Sequence, residues 1–241
     1  MLERLRRETL VEQATAGLME FILKQDLKPG NMLPAEITLA TGFGVSRQVI
    51  REALKSLQGQ GVLEIINGKG AVIRPLVGDT LRVFFARAVQ IDQKTIVELI
   101  EVRRGIEVQC AMLAAERRTP EELSRMQELV AQMGARLDDV EAYSELDLEL
   151  HLSIAAATHN AMMYHLLESM REISQDTMRE GFRRRRNAEQ RERVQALHTM
   201  LLSELERGDA QAAGRAMALQ FDEAIIALAE QSQEVQQVQT E

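Results

Sequence analysis

Residues that break helices are spread unevenly along this 241-residue chain, and their distribution limits the folds open to it. Three of the four prolines (Pro29, Pro34, Pro75) and nine of the fourteen glycines lie in residues 1–78. Proline removes a backbone donor and glycine favours turns, so this third must alternate short elements with breaks. Beyond it the one proline is Pro120, at a helix start: Thr119 can cap, Pro120 takes the first helical position and Glu122 supplies the reciprocal bond. No repeat of fixed period is visible. Helical segments are predicted at about 79–90, 93–117, 120–138, 140–158, 160–182, 187–207 and 209–233. Gly208 ends one helix and Asp209 caps the next. Short breaks imply antiparallel neighbours. The expectation is a mainly α protein. It has an N-terminal winged helix-turn-helix domain over 1–78, a C-terminal all-α antiparallel bundle of about seven helices over 79–233, and a polar tail, 234–241, that frays.

The winged reading of residues 1–78 comes from the order of elements. Residues 9–25 read as a helix, "KPGNMLP" as a turn into a short extended piece, 35–42 as a short helix, "GFGV" as a tight break and 46–59 as a second helix. "VLEII" and "AVIRP" are β-branched runs separated by "NGKG", a hairpin signal. In "VSRQVIREAL", Ser46 can cap while Ile50, Ala53, Leu54 and Leu57 form an apolar stripe. Arg47, Arg51 and Lys55 fall four apart on another face, starting in the first turn. A helix dipole favours acids there, so a cationic row implies an external anion. Arg47 and Arg51 suit guanine edges or phosphates, Gln48 adenine or phosphate, and Lys55 the backbone. Gly68 and Gly70 clear the hairpin tip for close approach, with Lys69 between them for a groove or phosphate. The plainer alternative is a solvated face whose cations pair with acids such as Glu52.

Charge agrees with this placement. The net charge of -8 divides into ten Lys+Arg against eight Asp+Glu in residues 1–78, and 19 against 29 in the rest. A large polyanion would be bound by the first third and repelled by the remainder. With 3% aromatics and no Trp, a binder of single strands is disfavoured. Cys110, the one cysteine, has no internal disulfide partner and sits in an apolar helical context as a small core residue. The N-terminus "MLERLRRETLVEQA" is charged, unlike a signal peptide, and no apolar run approaches the ~18 residues of a membrane span. The expectation is a cytoplasmic protein without a membrane partner.

In the helical region, Asp147 and His151 are one turn apart beside the stripe Leu146, Leu150 and Ile154, with Tyr143 one turn earlier. His198 lies on a later helix among Val194, Leu197 and Leu201. Asp, His and His from facing helices suit Zn²⁺, Ni²⁺ or Fe²⁺. The spacing alone also fits ordinary core histidines. His159 reads as a loop residue and His165 as a helix-face residue, neither a ligand. "FRRRR", 182–186, reads as a solvated loop or, more sharply, as a rim that attracts anions or a secondary DNA contact. A metal-dependent enzyme is the rival reading, but no repeated Glu-x-x-His, G-x-S-x-G, P-loop or cysteine cluster occurs. The chain is expected not to be an enzyme.

Residues 29–73 resemble the DNA-binding domain of GntR-family transcription regulators through PG, LP-x-E, LA, GVSR, REAL, L-x-x-x-G and G-x-G, in that order. The resemblance implies that Arg47, Arg51 and the Gly68–Gly70 tip touch operator DNA. Ile37 stands where the family usually has Arg after the Glu of LP-x-E. Residues 79–233 resemble the helical FCD effector domain of the FadR branch through "VRRGIE", "LAAERR", "DLELH", "THN" and "HTMLLSELERGDAQAAGRAM". This implies metal ligands at Asp147, His151 and His198, with Gln220 at the fourth position where the family has a third His, and Zn²⁺ or Ni²⁺ as the ion. Arg103 matches an arginine that helps hold an anionic effector, with Tyr143 beside it. The implied function is a homodimeric repressor released from a palindromic operator by a small carboxylate metabolite. The alternative is a constitutive DNA-binding dimer without effector.

Overall fold

The computed structural model describes residues 8–75, 78–91, 95–185 and 187–238. The chain divides into two compact units, Met1–Thr80 and Leu81–Glu241.

In the first unit, α1 (Leu10–Lys24) opens with a capping box between Thr9 and Glu12. The segment after it turns at Pro29-Gly30 and runs beside the later hairpin: Gly30 and Leu33 donate to the carbonyls of Ile73 and Ala71 at 2.9 and 2.8 Å. This is the expected extended piece. Helix α2 (Glu36–Phe43) stops at Gly44, which is left-handed, and Ser46 caps α3 (Arg47–Gly59) through the Val49 amide. Ile50, Ala53, Leu54 and Leu57 turn inward and pack with Leu18 of α1. Strands β1 (Leu63–Ile66) and β2 (Gly70–Ile73) pair antiparallel, with Ile66 opposite Gly70. The loop therefore has three residues, 67–69, because Gly70, the last residue of the expected "NGKG" break, opens β2. Gly68 and Gly70 both have positive φ, 77° and 104°, which L side chains resist.

From residue 79 on, the elements among the described residues are all helices: α4 (Asp79–Ile91), α5 (Thr95–Arg117), α6 (Pro120–Gly134), α7 (Val140–Ala156), α8 (Ala161–Ser169), α9 (Arg171–Arg183), α10 (Ala188–Arg207) and α11 (Ala210–Val238). The expected 160–182 segment is two helices. Met170 leaves the helical region (φ -97°, ψ 4°) with its side chain fully buried, so packing rather than a proline or glycine makes the break. The tail also differs. Residues 234–238 continue α11, consistent with a Gln-rich run without Gly or Pro, and 239–241 lie outside the described residues.

Thr119 and Glu122 form the expected capping box of α6. Asp209 caps α11 through the Ala212 amide at 2.9 Å. Small residues let α11 lie along α5: Ala111, Ala114 and Ala115 are buried, and a Cβ on Gly214 would come within 2.8 Å of Met112. Cys110 is buried in the same core, and burial pushes its thiol up to about 12. Among the described residues no helix is long and apolar enough to cross a membrane.

Candidate DNA-reading helix and ligand pocket

The α2–Gly44–α3 turn brings the first turns of both helices together. Glu36, the first residue of α2, takes a forked pair from Arg51: Nε to Oε1 at 3.3 Å and Nη2 to Oε2 at 3.0 Å. Arg47 approaches the same Oε2 at 3.8 Å. Arg51 holds the Glu36 carboxyl below its usual range despite some burial. One turn along, Glu52 Oε1 accepts from Gln48 at 3.2 Å and from Lys55 at 3.1 Å. All four polar residues singled out on α3 therefore share one exposed face, each engaged by a carboxylate. Glu52 was the expected partner; Glu36, 15 positions before Arg51, was not. Ile37 is exposed beside Glu36. Lys69 lies between the two glycines at the hairpin tip, its amide bonded to the Ile66 carbonyl at 3.0 Å.

In the second unit, α7 and α10 bring Asp147, His151 and His198 together. One ligand atom from each lies within 4.8 Å of the others. Asp147 Oδ1 is 2.9 Å from His198 Nε2 and 3.3 Å from His151 Nε2. Each imidazole is oriented from behind. His151 Nδ1 bonds Glu107 Oε2, and His198 Nδ1 donates to the Val194 carbonyl at 3.0 Å, with the Tyr143 hydroxyl at 3.3 Å. Both Nε2 atoms are thus turned to one point, the arrangement that fixes ligating histidines elsewhere. Burial opposes the ionisation of Asp147, but His198 and His151 hold its carboxyl far below the usual range. Burial likewise opposes a charged His151, yet the Glu107 and Asp147 carboxylates raise it to about 9.

These three residues line a cavity of about 100 Å³, together with Arg103, Arg185 and Gln220. Gln220 donates through Nε2 to the Leu197 carbonyl at 3.3 Å, while its Oε1 is buried without a hydrogen-bond partner. A buried acceptor left unpaired is costly, and a cation would satisfy it. Two imidazole nitrogens, a carboxylate and an amide oxygen form a donor set that fits a divalent ion.

Arg103 lies over the Phe221 ring at 5.4 Å and donates through Nε to Glu107 Oε1 at 2.8 Å. It therefore steadies the carboxylate behind His151 as well as facing the cavity. Glu107 itself is buried; burial works against its charge, and Arg103 and His151 hold its pKa low. Tyr143, expected beside the effector, is absent from the residues that line the cavity. It is fully buried, stacked on Phe182 with ring centroids 3.8 Å apart, and donates to Gln195 at 3.0 Å. It stands behind His198 and is not on the cavity wall.

Arg183 and Arg184 pair with acids on the surface, including Glu141 and Glu180, whereas Arg185 reaches the cavity; Arg186 lies outside the described residues. His159 sits in the turn after α7 against Glu122 at 3.1 Å, and His165 is on α8.

Comparison with known proteins agrees with both halves. The family model "Bacterial regulatory proteins, gntR family" matches residues 3–73, and the FCD domain model matches 98–223. The transcriptional regulator LutR of Bacillus subtilis is 34% identical over 155 residues, covering 64% of this chain and 71% of that protein. The galactonate operon transcriptional repressor of Escherichia coli is 32% identical over 144 residues, 57% of this chain and 62% of that one. The solved structure of Streptococcus agalactiae GntR has 25% identity and a TM-score of 0.70, covering 91% of this chain and 99% of that one. These families and relatives are transcription regulators, not enzymes. The chain belongs to the GntR family of bacterial regulatory proteins, with a helical FCD domain behind its DNA-binding domain.

Proposed function

We propose that the protein is a cytoplasmic, homodimeric repressor that leaves a near-palindromic operator when a small carboxylate binds beside a divalent ion in the FCD cavity. Two copies would each place α3 in the major groove, with Arg47, Gln48 and Arg51 at base edges, Lys55 on the backbone and the Gly68–Lys69–Gly70 tip alongside. A twofold dimer doubles the contacts of one short helix and matches a palindrome.

The observation that carries the sensor reading is the convergence of His151 Nε2, His198 Nε2 and Asp147 Oδ1 in a cavity that Gln220, with its unpartnered Oε1, also lines. Zn²⁺ or Ni²⁺ suits these donors. Once bound, the ion supplies a cationic anchor for a carboxylate. Arg103 and Arg185, which also line the cavity, favour an anion, and a guanidinium fork fits a carboxylate. The galactonate operon repressor among its relatives is named for a hydroxy acid, which supports that ligand class.

A ligand releases DNA only through its differential affinity for the two states. The test pairs the parent with a His151→Ala/His198→Ala variant on an operator duplex, across a panel of small hydroxy acids. The variant is expected to hold the operator within a few-fold of the parent and to ignore acids that release the parent. A normal response in the variant would remove these residues from the switch. A parent that responds to no member of the panel would favour the constitutive alternative.

A further inference from the structure

The carboxylates on the DNA-reading face call for their own account. Anions there repel phosphate, and exposed ion pairs contribute little to folding. Yet Glu36 engages Arg51 and Arg47, and Glu52 engages Gln48 and Lys55. The two glutamates thus occupy every polar side chain that α3 would present to DNA. The unit has little cationic surplus to spare, with ten basic against eight acidic residues in 1–78.

We propose that Glu36 and Glu52 are specificity-determining residues, carboxylate competitors that DNA must displace before the α3 side chains can bind. This rests on α3 being the reading helix. Phosphates occur at every sequence, so contacts to them do not discriminate. Exchanging a carboxylate for a phosphate is close to neutral for the arginine, and it leaves the displaced glutamate facing a like charge. A guanine edge offers Arg51 or Arg47 two acceptors in fixed geometry, and a cytosine amino group offers the displaced glutamate a donor. Only the matching sequence satisfies both partners. Elsewhere a carboxylate stays unpaired against DNA, a repulsive element of the kind that sharpens selectivity.

The test uses full-length protein and two duplexes: one selected by the parent from a randomised library, and a scrambled version of it. E36Q and E52Q are expected to bind the scrambled duplex about threefold more tightly, and the selected-to-scrambled affinity ratio is expected to fall by about fivefold or more in E36Q. E20Q is the charge control, since Glu20 is exposed on α1 and pairs with Lys24 of the same helix at 2.7 Å. It should leave the ratio at the parent value. E36D keeps the charge and should keep weak binding to the scrambled duplex. An unchanged ratio in E36Q, or an equal change in E20Q, overturns the proposal. Arg51→Ala tests the underlying reading separately: if it binds the selected duplex as the parent does, α3 is not the reading helix. A thermal melt of each variant separates loss of fold from loss of discrimination, and E36D and E52Q carry the test if E36Q does not fold.

Discussion

Glu107 ties the pocket together without lining it, bonded to His151 on one oxygen and Arg103 on the other. Replacing it with Gln would leave Arg103 buried beside a neutral partner and loosen the His151 ring. Glu107→Gln should lower divalent-ion affinity by about 10- to 100-fold in a chelator competition and lower the melting temperature; unchanged affinity would place Glu107 outside the ion's support. Gln220→His should act oppositely, strengthening Zn²⁺ or Ni²⁺ binding by on the order of tenfold, because imidazole is the better ligand. No change would exclude Gln220 from the site. The one-turn spacing of Asp147 and His151 put both on one face of α7 but fitted ordinary core histidines equally, and Gln220 came only through resemblance. Glu107 was hidden because His151 lies 44 positions away and its i, i+4 pairing with Arg103 reads like a surface ion pair. Arg185 was hidden in a run of arginines of which, among the described residues, it alone lines the cavity. That Tyr143 sits in the layer behind His198 was not legible, because sequence spacing cannot tell a cavity wall from the layer behind it.

At the scale of elements, local chemistry predicted most starts and stops. The Thr119 box, the Ser46 cap and Asp209 are all used as their positions suggest. Thr119→Ala should therefore destabilise the protein by about 1 kcal/mol in denaturant melts; no change would mean that the cap is redundant. The break at Met170 was not legible, since nothing in "LESMREI" punctuates a helix and the cause is burial of one side chain. Helix α3 carries the functional expectation. Arg47→Ala and Arg51→Ala should each weaken operator binding by about 1–3 kcal/mol if they read bases, and Lys55→Ala should weaken all sequences more evenly. Parent-like operator binding by both arginine variants would put another element in the groove.

For the whole molecule, charge and helix breakers divide the chain in the same place. The acidic second unit repels DNA, so DNA affinity must come from the first, and operator binding should fall steeply with salt. The division was readable because it is written in composition. The sensor was less so, since a pocket is made by helices that the sequence does not pair. The most direct check is titration of the chelator-stripped protein with Zn²⁺ and Ni²⁺ by calorimetry, parent against His151→Ala/His198→Ala. The parent should take up about one ion per chain and melt at a higher temperature when loaded, as a ligand selective for the folded state requires, while the variant does neither. A parent that binds neither ion, or a variant that binds as the parent does, would contradict the metal site.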